Sequence, residues 1–187
     1  MKAIAIFASG GGSNAGKIIE WFRDHDSIRV SLVVTNRSTA GVISIAQAAE
    51  IPVIVLEKVK FIQTGYVDEL RSAGIDWIIL AGFLWKIPGP LLSAYPKRII
   101  NIHPALLPKF GGQGMYGHFV HEAVIAAGET KSGMTIHYID GEYDRGDTIF
   151  QASCDVDAND TAATLAARVL ELEHRHYPAV IEKVIKG

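Results

Sequence analysis

The sequence of 187 residues has almost no sulfur chemistry to offer, because Cys154 is its only cysteine and no internal disulfide can form. A lone cysteine fits a reducing compartment. Its place in the strand-like run "FQASCDV" marks it as a small packing residue rather than a nucleophile. An excess of one charge is also missing. Eighteen Lys and Arg face twenty Asp and Glu, for a formal net charge of -2. That balance excludes the broad basic footprint of a nucleic-acid binder, although a nest of backbone amides can still hold a small anion. No apolar run approaches membrane-spanning length. The N-terminal "MKAIAIFASGGGSN" has neither the long apolar core nor the cleavage site of a signal peptide. A cytoplasmic protein with no membrane partner is the expectation. Linkers, repeats and low-complexity segments are lacking too, so residues 1–187 are expected to form one domain.

What is present is a rhythm. "AIAIFAS", from Ala3 to Ser9, is an uncharged run rich in strand formers and stopped by glycines. A helix is expected from Asn14, with Ile18, Ile19 and Phe22 on one face. "IRVSLVVTN", "IPVIVL", "DWIILAG" and "RIINIHP" read as further strands, and Gly41 to Ala49 and Phe61 to Ala73 as the helices between them. Near-continuous apolar strands alternating with helices imply a parallel sheet covered on both faces. The expected fold class is therefore α/β, a doubly wound, mostly parallel Rossmann-like sheet with ligands at the carboxyl ends of its strands. After a helix near His118 to Ala127 the rhythm changes. "GMTIHYI" and "DTIFQASCDV" are close enough to form an antiparallel C-terminal strand pair. A last helix is expected from about Asp160 to Lys186, capped by Asn159, Asp160 or Thr161.

Two stretches carry chemistry. The first strand ends in "ASGGGSNAGK", where Gly10, Gly11 and Gly12 let a ligand approach the backbone and the following helix start offers amides to an anion. Gly10, Gly12 and Ala15 meet the spacing of a dinucleotide fingerprint, but the second strand ends at Asn36 with no acid to hold a ribose. The phosphate-loop motif fails because Lys17 is followed by Ile18. A phosphate on a small ligand is the better reading. In "RIINIHPALLPKFGG", Asn101 and His103 alternate onto one face at a strand end. An amide beside an imidazole can stabilise an oxygen that turns negative, and the imidazole can move protons near neutral pH. The loop "HYIDGEYDRGDTI" supplies Asp140, Glu142, Asp144 and Asp147, any of which could sit beside His103 and favour its imidazolium form.

The ordered segments "SGGGSN", "ILAGFLWKIP", "NIHPALLPKF", "GMTIHYIDGEYDRGDTIFQ" and "RVLELEHRHYP" resemble the phosphoribosylglycinamide formyltransferases, folate-dependent enzymes of de novo purine synthesis. The resemblance runs from about Ala3 to Ile185, and "NIHPALLP" is shared with formyltransferases more widely. It implies transfer of a formyl group from 10-formyltetrahydrofolate to the amine of glycinamide ribonucleotide. Asn101, His103 and Asp144 would be catalytic, with His103 protonated and oriented by Asp144. Gly12, Ser13 and Asn14 would bind the substrate phosphate, and Glu173 the ribose hydroxyls. Leu84, Trp85, Lys86 and Ile87 would line the folate pocket together with Asn101, Asp140 and Asp144. No metal is implied, and His118 and His121, three apart on a helix, lack a third ligand. The partners would be the two small molecules, with no nucleic acid, and the protein a monomer or homodimer. Two departures stand out: the loop from Gly111 to Gly117 is longer than usual, and Leu170 replaces a lysine or glutamine that assists the phosphate. The rival readings are a formyltransferase acting on methionyl-tRNA or an amino sugar, which would carry a further domain, a catalytically silent nucleotide-binding domain, and an NAD-dependent oxidoreductase.

Overall fold

The computed structural model describes residues 1–142 and 144–187. Seven strands form one sheet in the order β3-β2-β1-β4-β5-β6-β7. The chain divides into two compact units, residues 1–100 with 181–187, and residues 101–180.

The first unit contains β1 (Lys2–Phe7), α1 (Ser13–Phe22), β2 (Ile28–Thr35), α2 (Val42–Ala48), β3 (Val53–Val55), α3 (Lys58–Thr64), α4 (Val67–Ser72), β4 (Trp77–Leu80) and α5 (Gly89–Ala94). Strand β1 pairs in parallel with β2 and β4, and β2 with β3. Five consecutive residues of β1, Ala3 to Phe7, are buried. A central parallel strand covered on both faces needs such a run rather than alternation. From α1, Ala15, Ile18, Ile19 and Phe22 are buried, the face that their spacing predicts.

The helix expected over residues 61–73 is two helices. Gly65 and Tyr66 take left-handed φ values of 63° and 54°, which end α3 and start α4 at a new angle. A Cβ on Gly65 would lie 2.9 Å from that of Leu91, so the break lets α5 approach closely. The sequence reading contained no helix corresponding to α5. "PGP" looks like a loop, yet proline within the first helical turn lacks only an N–H that has no partner there.

The second unit holds the end of β5 (Ile99–His103), α6 (His118–Ala126), β6 (Lys131–Tyr138), β7 (Thr148–Asp155) and most of α7 (Ala162–Lys186). Strands β6 and β7 pair antiparallel as expected. Strand β7 alternates between exposed and half-buried positions, the mark of a strand with one wet face. Thr161 caps α7, its Oγ1 accepting from the Thr164 N–H at 3.2 Å, while Asp160 accepts from the Thr164 hydroxyl at 2.7 Å. Leu165, Val169, Glu173 and Tyr177 form one buried stripe along α7. Among the described residues, no helix is long and apolar enough to cross a membrane.

Candidate active site

The glycine turn of the first unit is built from main chain. The Ser9 N–H donates to the Gly82 carbonyl at 3.0 Å, and the Val42 N–H to the Gly10 carbonyl at 3.2 Å. Gly12 begins α1 with φ 81°, and a Cβ there would lie 2.8 Å from the Val42 Cβ. Only glycine fits, for conformation and for space. No side chain caps α1, so its positive end is left to whatever the turn binds. Ser13 is exposed and Asn14 half-buried at that end. The helix starts at Ser13, one residue earlier than its spacing suggests.

The segment expected to line a cofactor pocket is tied to this turn, because the Leu84 N–H donates to the Ser9 hydroxyl at 2.9 Å. Leu84 and Lys86 are exposed and Ile87 is buried. Trp85 packs on Phe61 and Phe83 at centroid distances of 5.7 and 6.4 Å, part of an aromatic cluster that includes Phe7.

The second unit concentrates polar side chains instead. Strand β5 delivers Asn101 and His103, strand β6 delivers Thr135 and His137, and the loop after β6 delivers Asp144. Asp144 lies between two imidazoles. Its Oδ2 is 3.6 Å from His103 Nδ1, and its Oδ1 is 3.6 Å from His137 Nε2, which is ion-pair rather than hydrogen-bond distance. Its Oδ2 accepts from the Gly112 N–H at 2.9 Å. Asp144 takes φ 54°, and a Cβ on Gly111 would lie 3.2 Å from its own Cβ. A side chain at residue 111 would push the carboxylate off this position.

His103 is 4% exposed. Its Nε2 lies 2.8 Å from the Phe110 carbonyl, an acceptor only, so Nε2 carries the proton. Burial lowers its pKa below the ordinary value, outweighing Asp144 and the Phe110 carbonyl, which act to raise it. Burial thus opposes the imidazolium form that the Asp144 carboxylate, 3.6 Å from Nδ1, favours. An acid beside a histidine was visible in the sequence, but the depth of burial was not. Burial works to raise the Asp144 pKa, yet His137, His103 and the Gly112 N–H overcome it and leave the carboxylate below its usual value.

His137 had no place in the sequence reading. It is fully buried. Its Nδ1 donates to the Tyr138 carbonyl at 2.9 Å, and its Nε2 lies 3.1 Å from the Asn101 amide nitrogen and 3.6 Å from Asp144 Oδ1. Thr135 braces the loop after β5. Its hydroxyl donates to the Ala105 carbonyl at 2.6 Å and accepts from the Leu107 N–H at 3.0 Å and the Gln151 amide at 2.8 Å. Alternation in "GMTIHYI" was the available signal, since Gly133, Thr135 and His137 share one face.

The other candidates are placed as follows. Asp140 accepts from the Glu142 N–H at 2.9 Å in an exposed turn. Glu173 is buried, 7% exposed, in the middle of the apolar stripe of α7. His118 is exposed and stacks on Phe119 at 4.0 Å, whereas His121 is buried. No cluster of three or more His, Cys, Asp or Glu suited to a metal occurs among the described residues.

The chain belongs to the formyl transferase family, whose profile matches residues 2–181. Its relatives within that family include phosphoribosylglycinamide formyltransferases. It is 47% identical over 188 residues to the chloroplastic one of Arabidopsis thaliana, covering 96% of this chain but 64% of that protein's length. To the Bacillus subtilis one it is 35% identical, covering 99% of this chain and 95% of the relative. The crystal structure of the Bacillus halodurans phosphoribosylglycinamide formyltransferase superposes with a TM-score of 0.89 at 36% identity, over 98% of this chain and 95% of that one.

Proposed function

We propose that the protein transfers the formyl group of 10-formyltetrahydrofolate to the primary amine of glycinamide ribonucleotide, giving the N-formyl product and tetrahydrofolate. The observation that carries this reading is the grouping of Asn101 and Asp144 around the buried imidazoles of His103 and His137 in a chain of the formyl transferase family. In this reading residues 1–187 act as one formyltransferase domain, as a monomer or homodimer in the cytoplasm.

The amine must attack as a neutral nucleophile, and it sheds a proton once the carbon–nitrogen bond forms. His103 is suited to take that proton at Nδ1, because Nε2 already holds one against Phe110. The imidazolium so formed faces Asp144, whose carboxylate favours the charge. Asn101 supplies an N–H to the oxyanion of the tetrahedral intermediate, its amide nitrogen lying 3.1 Å from His137 Nε2. Collapse expels the tetrahydrofolate nitrogen, which His103 can reprotonate. The Gly12, Ser13 and Asn14 turn would hold the substrate phosphate with main-chain donors. Buried Glu173 would accept from the ribose hydroxyls, and Leu84, Trp85, Lys86 and Ile87, with the Asp140 to Asp144 loop, would face the folate.

A spectrophotometric assay with 10-formyl-5,8-dideazafolate and glycinamide ribonucleotide tests the proposal. Turnover that needs both compounds and is lost in His103→Ala supports it. Folate binding without turnover would assign a different amine acceptor.

A further inference from the structure

The segment from Phe110 to Gly112 reaches both members of the His103–Asp144 pair through its main chain. The Phe110 carbonyl lies 2.8 Å from His103 Nε2, and two residues on the Gly112 N–H donates to Asp144 Oδ2 at 2.9 Å. Between them Gly111 has no room for a side chain, since a Cβ there would lie 2.5 Å from Leu107 Cδ2 and 3.2 Å from the Asp144 Cβ.

Phe110 takes φ 56°. Glycine is free to adopt this region and asparagine enters it readily, but a bulky aromatic residue there is an outlier that costs free energy. Such conformations persist only where the surroundings impose them, and they gather at functional sites. Here both ends of the segment are held. Before it, the Leu107 N–H donates to the Thr135 hydroxyl at 3.0 Å, and the Leu107 carbonyl accepts from the Gln151 amide at 3.0 Å. After it, the Gly112 carbonyl accepts from the Met115 N–H at 3.1 Å. An ordinary negative φ at residue 110 would swing its carbonyl relative to the chain before it, and so off His103.

We propose that Phe110 is a positioning residue for the His103–Asp144 pair, acting through its backbone conformation rather than its ring. Its left-handed turn sets the carbonyl that holds the His103 proton on Nε2 and delivers the Gly112 N–H to Asp144. Its bearing on turnover rests on the proposed reaction, whereas its hold on His103 rests on the geometry alone.

The test is a series at residue 110 that separates backbone from ring. Phe110→Asn and Phe110→Gly discard the ring but accept a positive φ, whereas Phe110→Val keeps an apolar side chain and, being β-branched, resists it. Long-range ¹H–¹⁵N NMR of the His103 ring in the full chain reads the tautomer. Steady-state kinetics with 10-formyl-5,8-dideazafolate and glycinamide ribonucleotide read turnover. Phe110→Asn and Phe110→Gly should keep the His103 proton on Nε2, although loss of the ring lowers Tm. Phe110→Val should move part of that proton to Nδ1 and turn over about tenfold more slowly than Phe110→Asn at similar KM, the scale of a left-handed penalty. An unaltered His103 signal in Phe110→Val, or loss of the Nε2 proton in Phe110→Asn and Phe110→Gly alone, would assign the effect to the ring and overturn the inference. If Phe110→Val does not fold, the other two variants still decide, because a packing role predicts a disturbed His103 in both. The expected His103 pattern with no turnover in any protein would refute the proposed reaction and leave the positioning role standing.

Discussion

The two compact units present polar groups in opposite ways. The first offers main chain: a glycine turn at φ 81° running into a helix that no side chain caps, with serine and asparagine only at its edge. The second offers side chains, each oriented by another: Asn101 by His137, His137 by the Tyr138 carbonyl, His103 by Phe110, Asp144 by Gly112. A main-chain site tolerates changes of side chain but not of backbone, and it binds without titrating. A side-chain site can move protons, but each member depends on its neighbours and on the local depth of burial. Binding is thus expected to fail through backbone substitutions in the first unit, and chemistry through polar substitutions in the second.

The largest effect expected is on turnover. His103→Ala removes the proton acceptor and should lower kcat by about 10²- to 10⁴-fold, the range for a positioned acid or base, with little change in KM for the ribonucleotide. Asp144→Asn should lose a comparable amount, because the imidazolium it supports is no longer paired. A rise in KM with kcat unchanged in either variant would erase the division between the units.

Gly12→Ala should do the reverse. A left-handed alanine wedged against Val42 should cost about 1–3 kcal/mol of stability and raise KM for the ribonucleotide far more than it lowers kcat. Denaturant unfolding and steady-state kinetics read the two parts separately.

Acid should act on the second unit first. His103 and His121 both have pKa values pushed down by burial, so the folded protein takes up fewer protons than the unfolded chain as pH falls. Stability should be at its full value above the ordinary histidine pKa of about 6.5 and decline below it, until the lowered folded values are passed. Asp144 has a lowered carboxyl pKa, and its contribution should disappear only as pH falls below about 4. A Tm that is flat from pH 7 to 5 would contradict the buried neutral state of these histidines.

The smallest effect expected is at Leu170, half-buried on α7. If main chain holds the substrate phosphate, Leu170→Gln should lower KM by a factor of about three to ten, the value of one added hydrogen bond. No change in KM would mean that the glycine turn already saturates the phosphate.

The order of strands and helices was legible in the sequence wherever burial is two-sided, because uncharged runs such as Ala3 to Phe7 can hardly be anything else. The break at Gly65 and Tyr66 was not, since it exists to admit α5, a contact between segments far apart in sequence. Asn101 and His103 were legible as a pair by alternation. His137 obeyed the same rule on β6 and was passed over, because a histidine inside an apolar strand looks like packing until its partner on another strand is known. The choice of Asp144 among four acids rested on family resemblance, and the geometry adds what spacing could not: two imidazoles at equal distance and an N–H from Gly112. The burial around His103 was not legible for a related reason. Charge neighbours can be guessed from a motif, but desolvation is a property of the folded surroundings.

The state of that one ring is where the account can be tested most directly. Long-range ¹H–¹⁵N correlation NMR of the histidine side chains, titrated across neutral pH, reports both tautomer and protonation. The account predicts that His103 at pH 7 is neutral with its proton on Nε2, titrates below about 6.5, and takes its second proton at Nδ1. An imidazolium at pH 7, or a neutral ring protonated at Nδ1, would contradict it and remove His103 from the role of proton acceptor.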